Sequence, residues 1–400
     1  MALDLNKILK EISPSQGEQK HLDKVTSSFL AKIKSYLTKL KASAVLGCSV
    51  GKGTWLAGNH DIDVFVQFKD DKDISETLEK ILKKNFKKVE RIHGSRDYFR
   101  IKFENCSFEI VPVLKIKTIT EAKNVTDCSV FHINWVKNNS DNKLKDEIRL
   151  VKQFCKASRV YGAETYIKGF SGYVLEILTI YFGSFNKFLK GISNIKENTT
   201  IDISKHQGAL DRNKLSPIIL IDPVQGNRNA AAALSIEKFN KLKEISNHYL
   251  KSSSHDFFKI KKKNPVELKK KFDIVLEIKA QEGKDDVVGT KILKAFEFIQ
   301  EKINKEGFEV KEANWQFDSP TFAWLSVKHK EVPKEFIHLG PPLAVEAHVK
   351  AFKKKYKNTF EKHNRVAVKL KRKNYKIKDF TKAIIKDEYV KEKVKNIKLL

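Results

Sequence analysis

The sequence predicts a multidomain protein of the α/β plus α+β class, with a mainly helical segment between two units that contain sheets. Three observations support this prediction. The chain has 400 residues, more than one ordinary domain holds, so two to four compact units are expected. Helix-like and strand-like stretches alternate near both ends of the chain, whereas helical patterns dominate the middle. Hydrophobic residues make up 41% of the sequence, which is enough to give each unit a core.

The first helix that we predict begins near Ser13. Ser15 and Glu18 have the spacing of a capping box, and Pro14 suits a helix start. Apolar residues then recur at every third or fourth position and form one stripe: Leu22, Val25, Phe29, Ile33 and Leu37. This spacing predicts an amphipathic helix that packs on the elements that follow it.

Four strand-like stretches, rich in β-branched and aromatic residues, follow this helix. They cover residues 44–50, 61–68, 98–103 and 107–116. A turn that contains several glycines separates the first stretch from the second. We therefore predict a sheet with covering helices, and we place this domain at residues 1–140.

The middle of the chain changes to a helical pattern at Leu144. Ile148, Val151 and Phe154 then share one helical face. Helical stretches alternate with loops to about Ser254, which predicts a helical central domain over residues 141–255. A run of serines and a charged segment ending at Pro265 mark the boundary that follows.

The last predicted domain covers residues 256–400 and begins with a strand. The apolar residues of this strand alternate with mostly charged ones. They are Phe272, Ile274, Leu276 and Ile278. A helix follows, with Gly307 placed to end it, and its inner face carries Ile292, Phe296, Ile299 and Ile303. Two strand-like stretches at 308–317 and 321–328 complete a β-α-β-β order. This order predicts a small antiparallel sheet with a helix on one face.

The charge of the chain points to a polyanionic partner. The formal net charge is +29, from 78 Lys and Arg against 49 Asp and Glu. Such a charge attracts RNA and holds it through phosphate contacts. The alternative is a lysine-rich composition spread over every surface. Residues 351–400 contain 18 Lys or Arg against 5 Asp or Glu, and this clustering favours an RNA-facing surface.

The composition predicts a cytoplasmic location. No apolar run is long enough to cross a bilayer, and the first ten residues lack the apolar core of a secretory signal. The four cysteines are widely spaced and form no zinc-binding pattern. We interpret them as reduced thiols: Cys48, Cys106, Cys128 and Cys155.

The most informative stretch is a glycine-rich turn that is followed by two aspartates. The turn is not a Walker A loop, because only three residues separate Gly47 from Gly51, and a glycine follows Lys52. Side chains at positions i and i+2 of a strand share a face, so Asp61 and Asp63 point the same way. Two carboxylates this close repel each other unless a cation such as Mg²⁺ neutralises them.

A third carboxylate, Glu109, lies on a later strand and faces away from Phe108 and Ile110. If the two strands are neighbours, three acids converge. Such a triad can hold two metal ions that serve an in-line displacement at phosphorus. The pair Asp61 and Asp63 alone is more often two solvated strand residues. The turn and its Ser49 hydroxyl, suited to a triphosphate, strengthen the catalytic interpretation.

Several motifs resemble, in order and spacing, the polymerase-β-like nucleotidyltransferases in the form found in archaeal CCA-adding enzymes. The similarity starts at Cys48-Ser49-Val50-Gly51-Lys52-Gly53-Thr54-Trp55-Leu56 with Asp61-Ile62-Asp63. It continues at Phe131-His132, Glu147-Ile148-Arg149-Leu150, Tyr161-Gly162-Ala163-Glu164, Lys168-Gly169-Phe170-Ser171-Gly172-Tyr173 and Asp222-Pro223-Val224. Weaker similarity at 257–259 and 338–341 extends toward the C-terminus. The resemblance implies a polymerase-β-like nucleotidyltransferase domain, a helical central domain that completes the nucleotide pocket, and a C-terminal RNA-binding region.

The resemblance also implies a reaction and its participants. The reaction is template-independent addition of C, C and A to tRNA 3′ ends from CTP and ATP, with Mg²⁺ as cofactor and release of pyrophosphate. Asp61, Asp63 and Glu109 would bind the metals. Ser49 and Lys52 would contact the nucleotide phosphates. His132, Lys152 and Tyr161 would line the nucleotide site, and Arg228 would face the base edge. The family includes dimers, which leaves a homodimer open.

The chain departs from the family pattern at two positions. Cys48 stands where the pattern has glycine, and Glu109 stands where it usually has aspartate. We expect Gly47 to take over the special backbone conformation of the turn. Other interpretations stay open for the whole chain: a poly(A) polymerase, an oligoadenylate synthetase or a non-catalytic tRNA-binding protein. Single residues also have structural alternatives, such as Arg228 serving as a partner of Asp222.

Overall fold

The structure is a computed structural model that describes residues 3–58, 61–70, 72–94, 96–206 and 216–400. It contains two compact units, Met1–Ile260 and Lys261–Leu400, which we call the first unit and the second unit. The predicted segments 1–140 and 141–255 therefore both lie in the first unit. Among the described residues, no helix has the length and apolar character needed to span a bilayer.

Two helices begin the first unit: α1, Leu5–Ile12, and α2, Gln16–Leu37. The predicted capping box of α2 is confirmed. The Glu18 N–H donates to Ser15 Oγ at 3.1 Å, and the Ser15 N–H donates to the Glu18 carboxylate at 2.9 Å. All five residues of the predicted apolar stripe are buried. We did not predict α1, because a helix of 8 residues offers barely two turns of periodicity.

Five strands form the sheet of the first unit: β1, Ser43–Leu46; β2, Asp61–Phe68; β3, Glu90–Ile92; β4, Tyr98–Phe103; and β5, Cys106–Leu114. Their order in the sheet is β1-β2-β5-β4-β3. Strands β2 and β5 run parallel, and the other pairs are antiparallel. One face packs against α2, where the rings of Phe29 and Phe108 stack with centroids 3.8 Å apart. The opposite face carries polar side chains at the start of β2.

The sequence predicted β2 and β4 with their observed bounds, but it was wrong about the end of β1. The chain leaves the strand after Leu46 and forms a short helix, α3, Cys48–Lys52. The Gly51 N–H donates to the Gly47 carbonyl oxygen at 2.7 Å and closes the first turn of this helix. Helix α4, Ile74–Asn85, and strand β3 were not predicted at all.

The remainder of the first unit is mainly helical. Its helices are α5, Ser129–Asn138; α6, Asn142–Ala157; α7, Gly172–Phe182; α8, Phe185–Asn194; and α9, Ile236–Lys251. A small parallel pair joins β6, Thr199–Ile201, to β7, Ile218–Leu220. The helix that we predicted from Leu144 begins two residues earlier, because the Asp141 side chain caps it by accepting from the Leu144 N–H at 2.7 Å.

The second unit confirms the predicted β-α-β-β order. After the short helix α10, Pro265–Lys271, it contains β8, Ile274–Lys279; α11, Asp285–Lys305; β9, Val310–Gln316; and β10, Thr321–Val327. With β14, Asn396–Leu399, the strands form an antiparallel sheet in the order β14-β8-β10-β9. Helix α11 buries its predicted inner face, and Gly307 follows it with a left-handed φ of 93°.

A second sheet of three strands belongs to the same unit: β11, Glu335–Pro342; β12, Thr359–Lys362; and β13, Arg365–Lys371. Helices α12, Glu346–Lys355; α13, Ile377–Ile384; and α14, Glu388–Lys393 complete the unit. None of these elements was predicted. Lysines are so frequent in this part of the chain that they hide the apolar periodicity on which such predictions depend.

Candidate active site

The turn between β1 and α3 lies directly against β2. The Gly47 N–H donates to the carbonyl oxygen of Asp63 at 2.7 Å. A Cβ on Gly47 would lie 2.8 Å from the Cβ of Asp63 and 2.7 Å from the Phe65 ring, so a larger residue does not fit. A Cβ on Gly51 would lie 2.5 Å from the Leu46 carbonyl oxygen. These glycines bring the backbone of α3 next to the predicted metal-binding carboxylates.

Cys48 itself adopts the special backbone conformation of the turn. Its φ is 41°, in the left-handed region, whereas Gly47 is extended with φ −103° and ψ 178°. Our expectation that Gly47 takes over this conformation was wrong, because Gly47 is needed for space rather than for φ. A left-handed residue with a side chain costs roughly 1 to 2 kcal/mol. The Cys48 thiol also hydrogen-bonds to the Asp63 side chain.

The three predicted carboxylates share one face of the sheet. In the parallel pair of β2 and β5, Asp61 lies opposite Ser107, and Asp63 lies opposite Glu109. Paired residues on neighbouring strands point to the same side. Glu109 therefore lies on the face that carries both aspartates, whereas Ile62 is fully buried on the other face.

The electrostatics of Asp63 reflect this arrangement. Loss of solvent around Asp63, together with the negative charges of Glu109 and Asp61, raises the pKa of its carboxyl to about 6. The hydrogen bond from Cys48 and the charge of Lys52 act in the opposite direction without outweighing these effects. A cation close to such a carboxyl group would stabilise its ionised form and lower its pKa.

Glu109 is held by an arginine from the next strand. Arg100 lies opposite Glu109 on β4 and donates from Nη2 to Glu109 Oε1 at 2.8 Å. In the described part of the chain, no three His, Cys, Asp or Glu side chains are gathered closely enough to hold a metal ion. Arg100 uses one Glu109 oxygen, and the second oxygen and the exposed Asp61 can turn toward a cation. The donor set, all carboxylate oxygens, fits a hard divalent cation.

Two of the predicted nucleotide-binding lysines meet at a carboxylate that the sequence analysis missed. Lys52 Nζ lies 2.7 Å from Glu176 Oε2, and Lys152 Nζ lies 2.7 Å from Glu176 Oε1. The Thr54 hydroxyl donates to the same Oε1 at 2.6 Å. All four side chains are buried. A lone glutamate among the apolar residues of α7 was the signal in the sequence, because an unpaired charge is almost never fully buried.

We call Lys52, Thr54, Lys152 and Glu176 the lysine cluster, and its surroundings shift the pKa values of Glu176 and Lys152. Burial opposes the charge of Glu176, but Lys152 and Lys52 outweigh it and lower the pKa of its carboxyl to about 2. Burial also lowers the pKa of Lys152, although Glu176 opposes that shift. A lysine on an amphipathic helix usually lies at the surface, but the Lys152 side chain is only 4% exposed.

A second cluster joins His132 and Arg228 through Asp222. Arg228 Nη1 donates to Asp222 Oδ2 at 2.5 Å, and His132 Nε2 lies 3.2 Å from the same oxygen. Burial of Asp222 favours its neutral form, but His132 and Arg228 hold the pKa of its carboxyl well below the usual range. Tyr173 donates to Asp222 Oδ1 at 3.1 Å, and its ring lies 4.8 Å from Lys52 Nζ. Tyr173 thus connects the two clusters.

Tyr161 packs beside the lysine cluster. A Cβ on Gly172 would lie 2.9 Å from the Tyr161 hydroxyl, so the glycine makes room for this side chain. Burial raises the pKa of the Tyr161 hydroxyl far above its usual value. Lys156, one turn after Lys152 on α6, places its Nζ 5.1 Å from the Tyr161 ring centroid. The sequence analysis missed Lys156, although its spacing of four from Lys152 places both lysines on one face of the helix.

The first unit therefore carries an anionic face, the lysine cluster with two ammonium groups, and the Asp222 cluster with Arg228. The acids suit divalent cations, and the nearby lysines and Arg228 suit the negative charge of a nucleotide. Of the nine predicted site residues, the structure brings Lys52 and Lys152 together at Glu176, and His132 and Arg228 together at Asp222. Ser49 lies in α3 between Cys48 and Lys52.

Models of known families match three successive segments of the chain. Residues 27–124 match the nucleotidyltransferase domain, residues 146–259 match the second domain of tRNA nucleotidyltransferase, and residues 271–396 match the C-terminal domain of CCA-adding enzymes. Together these segments span most of the chain. They follow one another in the order that the sequence motifs implied.

Similar proteins carry the same family name. A CCA-adding enzyme of Nanoarchaeum equitans is 35% identical, over 89% of this chain and 88% of its own. Those of Methanosarcina mazei and Sulfurisphaera tokodaii are each 30% identical, over 87% and 94% of this chain and 80% and 90% of theirs. A solved structure described as a cytoplasmic RNA terminal U-transferase is 14% identical with a TM-score of 0.48, over 64% of this chain and 98% of its own. By its identity and coverage with the first three, this chain belongs to the family of CCA-adding enzymes, the tRNA nucleotidyltransferases that the sequence motifs resembled.

Proposed function

We propose that this chain completes tRNA 3′ ends by adding C, C and A from CTP and ATP, without a nucleic-acid template and with release of pyrophosphate. The observation that carries this proposal is the pairing of Asp63 with Glu109 on the parallel strands β2 and β5. It sets three carboxylates on one face, beside the turn that begins at Gly47. This is the arrangement that nucleotidyl transfer needs.

We assign the divalent cations, which we propose to be Mg²⁺, to Asp61, Asp63 and Glu109. When bound, they would lower the energy of the attacking 3′-hydroxyl and of the pyrophosphate leaving group. The chain's own contribution is to hold the carboxylates. Strand pairing fixes Asp63 beside Glu109, and Arg100 orients Glu109 through one oxygen. The raised pKa of Asp63 supports this assignment, because a cation offsets both the loss of solvent and the repulsion from Glu109 and Asp61 that raise it.

We assign the nucleotide to the side of the site that carries the positive charge. Ser49 and Lys52 would contact the phosphates, and Lys152, Tyr161 and His132 would line the pocket. Support comes from the lysine cluster, where two buried ammonium groups face one carboxylate. We assign the base edge to Arg228. Asp222 holds one end of its guanidinium, and its side chain remains 35% exposed, so other N–H donors can reach a base.

We propose three functional domains with the predicted bounds 1–140, 141–255 and 256–400, the last of which binds the tRNA. The second unit alone carries 35 Lys or Arg against 20 Asp or Glu. A cavity of about 350 Å³ on it is lined by lysines that suit phosphate groups: Lys269, Lys270, Lys271, Lys330 and Lys378. We further propose a cytoplasmic location. The family's dimers make a homodimer a further proposal, which light scattering on the purified chain tests.

The proposal is tested with tRNA transcripts that lack the terminal C, C and A. Each transcript is incubated with the chain, Mg²⁺ and labelled nucleotides, singly and together, and the products are sequenced. We expect two C residues and one A residue, followed by a stop. Long A tails would identify a poly(A) polymerase instead. Absence of incorporation with every nucleotide, while tRNA still binds, would identify a non-catalytic tRNA-binding protein.

A further inference from the structure

The lysine cluster contains more positive than negative charge. Lys52 from α3 and Lys152 from α6 both bind Glu176 from α7, at 2.7 Å each. The exposed fractions of the three side chains are 8%, 4% and 1%. Two ammonium groups against one carboxylate leave a net charge of about +1 inside the protein. A purely structural buried ion pair would be balanced, because an uncompensated buried charge is costly.

The position of the excess charge shows which ligand would balance it. Lys52 belongs to α3, the same short helix whose first residue, Cys48, hydrogen-bonds to Asp63. Its Nζ also faces the ring of Tyr173, which leads to Asp222 and Arg228. The surplus positive charge therefore lies between the carboxylate face and the His132 cluster. An anionic group of a ligand in that position would neutralise it.

We propose that Glu176 is a positioning residue that holds the Lys52 and Lys152 ammonium groups in place and charged before a nucleotide binds, and that the triphosphate then takes up the excess positive charge. This inference rests on the proposed function, because it needs a nucleotide at the site. Glu176 does not contact the nucleotide in this account. It acts through the two lysines, and it is the shared anion without which two buried cations would face each other.

The other charged or titratable groups around the two lysines do not replace Glu176. Tyr161 and Tyr173 stay neutral at physiological pH, because burial raises the pKa of both hydroxyls. Loss of solvent around the sulfur and the charge of Asp63 likewise raise the pKa of the Cys48 thiol. Lys156 adds a further positive charge near Lys152, with Asp61 acting on it from the carboxylate face. The charge of Lys52 also acts on Asp63 across the site, but Asp63 is assigned to the cations.

The test replaces the charge of Glu176 and keeps its shape. Glu176→Gln preserves an acceptor oxygen but leaves no carboxylate between the lysines, so one ammonium group loses its proton in the free protein. Nucleotide binding must then take up a proton. We expect the variant to take up about one more proton per CTP than the wild type. Its Kd for CTP should rise roughly tenfold per pH unit at those pH values where this lysine is deprotonated in the free protein. Calorimetric titration of CTP with Mg²⁺, in two buffers of different ionisation enthalpy, measures both quantities.

A matched control comes from the same helical region. Glu147 on α6 is half-buried and accepts from the Phe185 N–H at 2.7 Å, away from the lysine cluster. Glu147→Gln removes one carboxylate charge and keeps an acceptor, as Glu176→Gln does. We expect its proton uptake and its Kd for CTP to equal those of the wild type. Glu176→Asp keeps the charge and should restore most of the wild-type proton balance.

A second pair of variants covers the case in which Glu176→Gln does not fold. Lys152→Met leaves Lys52 balanced by Glu176. Lys152→Met combined with Glu176→Gln leaves Lys52 without a counter-ion, but this double variant buries one lysine fewer than Glu176→Gln alone. We expect extra proton uptake only in the double variant. Equal proton uptake and equal pH dependence of Kd, with and without the Glu176 carboxylate, would overturn this inference alone. Failure of the wild-type chain to bind CTP would overturn the proposed function as well.

Discussion

Asp63 and Glu109 lie directly opposite each other on the parallel strands β2 and β5. They are 46 positions apart in the sequence, and no hairpin joins them. Parallel pairing requires a crossover connection, which here contains α4, β3 and β4. The connection places the third acid beside the first two. The assigned metal site therefore depends on the topology of the sheet as much as on the Asp-x-Asp motif.

We predict that Asp61→Ala and Asp63→Ala each reduce nucleotide incorporation by about a thousandfold or more, because several kcal/mol of transition-state stabilisation depend on the cations that these carboxylates hold. tRNA binding, measured by filter retention, should stay within about twofold of the wild type, since phosphate contacts elsewhere dominate it. Asp70→Ala removes an exposed acid just beyond β2 and should leave incorporation unchanged. Normal incorporation by either site variant would refute the metal assignment.

We predict that Asp63→Asn stabilises the metal-free protein at pH 8 but not at pH 4. The fold raises the pKa of this carboxyl from 3.8 to about 6. The stability that comes from its protonated form is complete below pH 3.8 and is lost as the pH rises through 6. The amide cannot ionise and avoids that loss, which amounts to about 1 to 3 kcal/mol for this half-buried group.

Thermal unfolding in the presence of a chelator, at a series of pH values, measures this effect. Asp61→Asn is the control, because Asp61 is exposed and its replacement should change the unfolding temperature little. Mg²⁺ should stabilise the wild type more at pH 8 than at pH 5, since ligands must be deprotonated to bind it. A gain for Asp63→Asn of equal size at pH 4 and pH 8 would show that the suppressed ionisation of Asp63 is not its cause.

We predict that Arg228→Lys weakens nucleotide selection more than nucleotide binding. Lysine keeps a positive charge beside Asp222 but lacks the planar fork that can donate to a base edge. The preference for CTP and ATP over UTP and GTP, measured as kcat/KM for each, should fall by roughly tenfold or more. Arg96→Lys is the matched control, because Arg96 also pairs with a buried aspartate, Asp127, and neither residue is among those assigned to the nucleotide. Unchanged selectivity in Arg228→Lys would favour a purely structural role for Arg228.

We predict that Cys48→Gly is more stable than Cys48→Ala by about 1 kcal/mol. Glycine removes the strain of the left-handed φ of 41°, worth roughly 1 to 2 kcal/mol, but loses part of the gain through the greater freedom of the unfolded chain. Both substitutions remove the thiol, so its hydrogen bond to Asp63 cancels in the comparison. Chemical denaturation of the two variants gives the difference. Equal stabilities would mean that Cys48 is not strained in the folded protein.

Local patterns in the sequence were sufficient for the elements that carry the acids. The capping box at Ser15 predicted the start of α2, and a run of β-branched and aromatic residues predicted β2 with its observed bounds. The facing of Asp61, Asp63 and Glu109 followed from the period of two in a strand. These features depend on neighbours a few residues apart, which is why one sequence is enough to predict them.

The partners of the lysines could not be predicted in this way. Lys52 and Glu176 are separated by 124 positions, and their contact depends on how α3, α6 and α7 pack. The contacts of Asp222 with His132 and Tyr173 come from similarly distant segments, whereas its contact with Arg228, six positions along the chain, was among the alternatives that the sequence offered. The left-handed Cys48 was also missed, because glycine is the usual residue for that conformation and a glycine stood next to it.

The binding of Mn²⁺ in the presence of CTP, followed by electron paramagnetic resonance, tests most directly whether the three carboxylates share divalent cations. We predict two bound Mn²⁺ ions per chain in the wild type, and loss of at least one of them in Asp63→Asn and in Glu109→Gln. The same number of bound ions, with the same affinity, in both variants and the wild type would contradict the account.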